Sequence, residues 1–94
     1  MLAVVATIKV KAGQEADFEA VAKQLVAKVN ATEPGCKLYT LCKGDVPLTY
    51  VFLERYADEE ATKAHRASEH FRDLGKKMGA FMDGPPQVLR LKEV

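Results

Sequence analysis

Two histidines, His65 and His70, are the only side chains of their type in the sequence, and they stand five residues apart. Histidine is the side chain that titrates near neutrality unaided, so either residue is a candidate general base. On one unbroken helix a five-residue step turns the second ring ~140° from the first, too far for both to hold one metal ion from one face. Ser68, between them, is a capping type. A helix that breaks there lets both rings converge on a common cavity. The competing reading leaves both as surface or capping histidines. Glu54 is the third candidate, an acid between Phe52 and Tyr56 on an otherwise apolar strand face. Such a carboxyl is costly to bury unless it is paired. It is either a structural ion-pair member, with Arg90 or Lys92 as partner, or a pocket residue with a raised pKa.

Several signatures are missing. No glycine-rich loop follows a strand, so neither a dinucleotide fingerprint nor a phosphate-binding loop is present. No CxxC or HExxH pattern marks a zinc site, and none is expected. Cys36 and Cys42 fall in one expected strand, which sets them roughly 20 Å apart and excludes a bridge between them. Buried small residues are the better reading of both than a nucleophilic or redox pair. The 94 residues are 48% apolar and 29% charged, with a formal net charge of +1. Acids and bases are interleaved, with no basic stripe to meet a phosphate backbone, so nucleic acid is not an expected partner. No run approaches the ~20 apolar residues of a membrane span, and the first residues lack the basic flank of a signal peptide. A single domain over residues 1–94, in the reducing cytoplasm, is expected.

The elements that must position the candidates follow from period and punctuation. Residues 2–11 alternate as a strand rich in Val and Ile, with Leu2, Val4, Ala6, Ile8 and Val10 on one face and Ala3 and Val5 on the other. After Gly13, residues 14–32 read as a helix with Phe18, Ala22, Leu25 and Val29 at helical spacing. Glu33-Pro34-Gly35 stops it. Residues 36–43 and 48–56 read as strands joined by a hairpin at 43–47. Asp58 caps a helix to about residue 67, Ser68 caps a restart, and Phe71, Leu74, Met78 and Phe81 make its apolar stripe. Residues 83–86 end it, and residues 87–92 form a last short strand. The order β-α-β-β-α-β predicts an α+β, ferredoxin-like two-layer sandwich with an antiparallel four-stranded sheet. Its helices cover one sheet face. The other is apolar as well, which predicts self-association into a homodimer.

The stretch Leu53-Glu54-Arg55-Tyr56-Ala57-Asp58-Glu59-Glu60-Ala61, followed by Ala64-His65-Arg66-Ala67-Ser68-Glu69-His70-Phe71, resembles the signature of the antibiotic biosynthesis monooxygenase family. Gly35-Cys36-Lys37-Leu38-Tyr39 is similar to the family's G-C-x-x-Y segment. The resemblance implies a ferredoxin-like fold whose sheets pair into a dimeric β-barrel, with a pocket between sheet and helices in each subunit. It implies oxygenation of quinols or phenols without flavin, metal or haem. By position, Tyr39, Phe52 and Tyr56 would line the pocket, with His65 and His70 at its helical rim. The haem-degrading relatives place an Asn and a haem-ligating His where this sequence has Ala6 and Gly75, which removes haem degradation from the expectation. The phenol-oxidising relatives place Asn and Trp where it has Phe52 and Tyr56.

Three functions fit these residues. The first is a cofactor-independent monooxygenase of small aromatic quinols or phenols, with dioxygen as co-substrate. In it His65 or His70 is the base, Tyr39 orients a substrate oxygen, and Phe52, Tyr56 and Phe71 stack on the ring. The second is an isomerase or lyase using the same His with Glu54 as a proton-transfer pair. The third is a non-catalytic, ligand-binding stress-response dimer.

Overall fold

A computed structural model describes residues 1–94. The elements run β1 (Leu2–Lys9), α1 (Glu15–Thr32), β2 (Cys36–Lys43), β3 (Thr49–Tyr56), α2 (Glu59–Ala67), α3 (Glu69–Gly79) and β4 (Gln87–Lys92). The sheet order is β2-β3-β1-β4 with every neighbour antiparallel, the ferredoxin-like α+β arrangement that the element order predicts.

The core is the face between sheet and helices. Phe18, Ala22, Leu25 and Val29 of α1 are completely buried, one apolar stripe with polar residues on the far side. Opposite them lie Ala6, Ile8 and Val10, then Tyr39, Tyr50 and Phe52, with Met78 from α3. The Phe18 and Tyr50 ring centroids are 5.0 Å apart in a tilted pair, and the Tyr50 hydroxyl donates to Glu19 at 2.5 Å. The phenol thereby keeps its hydrogen bond at the edge of an apolar layer.

β1 is two residues shorter than its alternation predicts. Val10 makes only an isolated bridge to Met82, since the chain is already turning toward Gly13, whose φ of 84° needs the left-handed region. β3 begins at Thr49 because Leu48 itself sits at φ 63° and completes the hairpin turn, its carbonyl accepting from the Val10 amide at 2.8 Å.

Between α2 and α3 the helix breaks at Ser68, which has extended backbone and serves both helices. Its hydroxyl accepts from the Phe71 amide at 3.2 Å and donates to the His65 carbonyl at 2.7 Å. One side chain therefore satisfies a free donor of the new helix and adds a second hydrogen bond to the His65 carbonyl, which also accepts from the Ser68 amide at 3.2 Å.

The other sheet face carries no helix. The register puts Leu53 beside Val5 and Val5 beside Leu89, with Ala3 beside Leu91. Leu89 is 60% exposed, Leu91 47%, Leu38 43% and Leu53 36%, a continuous apolar surface across all four strands. Both cysteines are free thiols. No helix is long and apolar enough to cross a membrane.

Candidate active site

A cavity of about 650 Å³ lies between the sheet and the α2–α3 pair. Val4, Ala6, Ile8 and Val88 form its floor, and Met78 and Met82 close one side. Tyr39, Phe52, Tyr56, His65 and Phe71 form its aromatic wall, and Glu54 also lines it. Gly75 and Gly79 face it from α3, and a Cβ on either would meet nothing within 4 Å. The helix thus holds back side-chain volume where the cavity needs room.

His65 stands at the centre of the wall. Its ring centroid lies 4.7 Å from Phe71, 5.1 Å from Tyr39 and 5.6 Å from Tyr56. Its Nδ1 lies 3.1 Å from both carboxylate oxygens of Glu33. A carboxylate accepts, so Nδ1 carries the proton and Nε2 keeps its lone pair, with no partner from the protein. Burial pushes the His65 pKa below its ordinary value, and Glu33, which favours the cation, only partly offsets this. The ring is therefore a neutral, oriented base near pH 7.

Glu33 also accepts from His70 Nε2 at 2.5 Å, and its side chain is 11% exposed. The two histidines converge on one carboxylate rather than on one cavity. His65 lines the cavity, whereas His70 lies on the far side of Glu33, in a shallow groove with Gln24, Lys28, Glu69 and Asp73. The chain His70–Glu33–His65 connects that outer groove to the cavity wall. No group of three or more His, Cys, Asp or Glu side chains is arranged to hold a metal ion.

The fold delivers Glu33 to this place through topology. It caps the C-terminus of α1, two residues before Gly35. Cys36 pairs with Tyr56, so the chain entering β2 lies beside the chain leaving β3, which leads directly into α2. Gly35 makes the approach close: a Cβ there would sit 2.7 Å from the Ala61 Cβ of α2, and its carbonyl accepts from the Ala57 amide at 2.9 Å. In the sequence Glu33 reads only as part of a helix stop. The strand pairing just described is the signal that places it against the histidine helix.

Glu54 lies two residues before Tyr56 on the cavity face, and the Tyr56 hydroxyl donates to it at 2.6 Å. Burial raises its pKa to about 7, against the lowering effect of that hydrogen bond. It makes no ion pair with Arg90 or Lys92; Arg90 acts on it only through its field. Of the two readings of Glu54, the pocket position is the one the geometry matches. Burial first, and then the Glu54 charge, push the Tyr39 and Tyr56 hydroxyls above the ordinary phenol range, so both remain proton donors. The Tyr56 hydroxyl is committed to Glu54. The Tyr39 hydroxyl has no hydrogen bond to the protein.

The chain thus joins a ferredoxin-like fold to an aromatic-walled cavity with a histidine held in that wall. The antibiotic biosynthesis monooxygenase model matches residues 1–77, and the chain belongs to that family. A Bacillus subtilis (strain 168) protein, YcnE, provisionally named a monooxygenase, is 31% identical over 90 residues, which is 96% of this chain and 95% of that protein. A crystal structure from Caulobacter crescentus CB15, provisionally named an antibiotic biosynthesis monooxygenase, superposes with a TM-score of 0.95 at 40% identity. It covers 99% of this chain and 89% of the other. Rv0793 from Mycobacterium tuberculosis shares the fold, with a TM-score of 0.91 at 24% identity, over 99% of this chain and 94% of its own.

Proposed function

We propose that the protein is a cofactor-independent monooxygenase of small aromatic quinols or phenols, with His65 as its base. The observation that carries this reading is the neutral His65 ring, held by Glu33 through Nδ1, with Nε2 unpartnered in an aromatic wall. Family membership supports the reaction type.

In this reading the substrate ring packs against Phe52, Tyr56 and Phe71, and a ring oxygen accepts from the Tyr39 hydroxyl. Nε2 of His65 takes the proton of a substrate hydroxyl. The resulting quinolate is electron-rich enough to give one electron to dioxygen, and the two radicals join at a ring carbon as a peroxide. Loss of the hydrogen on that carbon and cleavage of the O–O bond leave a carbonyl. The departing hydroxide takes the proton back from His65. The balance is hydroquinone plus dioxygen to hydroxyquinone plus water, with both electrons of the O–O cleavage supplied by the substrate. Glu33 stabilises the imidazolium while it exists, and His70 links that carboxylate to the outer groove.

The test is oxygen consumption by the purified protein on a panel of quinols and polycyclic phenols. Wild type is expected to consume oxygen with at least one of them, and His65→Ala to lose about 10²–10⁴ in rate. Full uptake by His65→Ala, or none by wild type on any panel member, would refute the assignment.

One observation favours a second reading. Glu54, with its pKa near 7, lines the same cavity as His65, a pairing suited to moving a proton between two substrate atoms in an isomerase or lyase. Turnover that persists without oxygen would select it. The uncovered apolar sheet face supports a homodimer closed through the two sheets as a β-barrel.

A further inference from the structure

Four exposed cations line this cavity, with Glu54 as the one acid among its walls. Arg66 comes from α2, Arg72 and Lys76 from α3, and Arg90 from β4 on the opposite wall. Arg72 and Lys76 are four residues apart and so lie on one side of α3, one turn from each other. None of the four forms an ion pair. Of the chain's ten other Lys and Arg side chains, five do: Lys23 and Lys43 meet Glu19, Arg55 meets Glu93, Lys63 meets Glu60 and Lys77 meets Asp73. No acid other than Glu54 lines the cavity. Glu54 is already bonded to the Tyr56 hydroxyl, and burial keeps much of it neutral near pH 7. The net charge of the whole chain is only +1, so this excess is local.

Unpaired positive side chains around an apolar cavity raise the local concentration of anions and reward a fixed negative charge on a ligand. Arginines on opposing walls suit a carboxylate, whose two oxygens accept from more than one guanidinium. We propose that the ligand of this cavity is an aromatic acid: its ring lies among Phe52, Tyr56 and Phe71, and its carboxylate lies among Arg72, Lys76 and Arg90. This deepens the proposed function, for which the substrate becomes a hydroxy-aromatic carboxylate rather than a neutral quinol.

The test separates binding from chemistry. Naphthalene-2-carboxylate and naphthalene-2-carboxamide share ring and shape, differ by one charge, and are not quinols. Titration calorimetry without oxygen is expected to give ~10-fold or tighter binding of the carboxylate at low salt, with the ratio shrinking as salt is raised. Arg90→Gln and Arg72→Gln should each bring the ratio toward one by weakening the carboxylate more than the carboxamide, with circular dichroism and an unchanged melting temperature showing that each variant is folded. Equal affinity for the two ligands, no binding of the carboxylate, or a preference that survives Arg72→Gln, Lys76→Gln and Arg90→Gln together would overturn the proposal. Failure of the oxygenase reading leaves this result unchanged, because neither ligand has to react.

Discussion

The carboxylate of Glu33 joins a buried histidine and an outer one into one unit, and its removal should be visible in the pH dependence as well as the rate. Glu33 pulls the His65 pKa up, against the larger lowering effect of burial. In Glu33→Gln that upward pull is gone, so His65 is protonated only at lower pH. The acidic limb of the rate profile is expected to move down in pH, while kcat falls about 10–100-fold because the ring is no longer oriented. A profile that keeps its limb would mean that Glu33 serves folding alone. Glu54 gives a stability prediction with a definite sign. Its folded pKa, about 7, lies above its ordinary 4.5. The folded state therefore holds this proton more tightly, and the stabilisation is complete below about pH 4.5 and lost as pH rises through about 7. Glu54→Gln, which is always neutral and still accepts from Tyr56, should melt roughly 5 °C above wild type at pH 8 and level with it at pH 4.5. Equal melting curves at both values would show that Glu54 is better solvated than the fold suggests. Much of the wall was legible only through the family resemblance, with Glu54 singled out by its place on an apolar strand face. Tyr39, Phe52, Glu54 and Tyr56 lie on the cavity face that alternation and family likeness indicate, whereas His65, expected at the helical rim, stands in the wall itself. Glu33 was not legible, because its neighbours Pro34 and Gly35 account for its position so well as a helix stop that nothing local asks for more.

At the level of elements, two short connections do the positioning. Ser68 was readable as a cap from its type, and its double use explains why the histidine helix bends where it does. What a sequence cannot state is how closely one connection passes another. Gly35 and Ala61 are an instance: the gap between them has no room for a single added carbon, and nothing in the linear order of the residues says that they meet. Gly35→Ala is expected to push the Glu33 connection away from α2. It should cost about 1–3 kcal/mol in denaturant unfolding and weaken catalysis as Glu33 leaves His65. An unchanged midpoint would mean that α2 can shift freely, and the close approach would then have no part in holding the site. The strand ends were less legible than the strands. Val10 and Leu48 have residue types suited to β structure, but the turns beside them claim their backbones.

For the whole molecule the period-two pattern carried the most information, since it showed two apolar faces before any topology was known. The helix-covered face became the core and cavity. The other holds Leu38, Leu53, Leu89 and Leu91 in the open. Leu53→Asp with Leu89→Asp is expected to leave the fold intact, because both side chains point away from the core, and to convert a dimer into a monomer by light scattering. A wild-type chain that is already monomeric at tens of micromolar would remove the paired-sheet reading.

β1 has a further consequence as a wall with two rooms. Val4, Ala6 and Ile8 look into the cavity, while Ala3 and Val5 look out onto the open face. Cavity floor and open apolar face are therefore interleaved letter by letter in one stretch of eight residues. A single inserted residue there would exchange the two sets, sending cavity floor to the outside and outer wall inward. In this sense β1 is a reading frame.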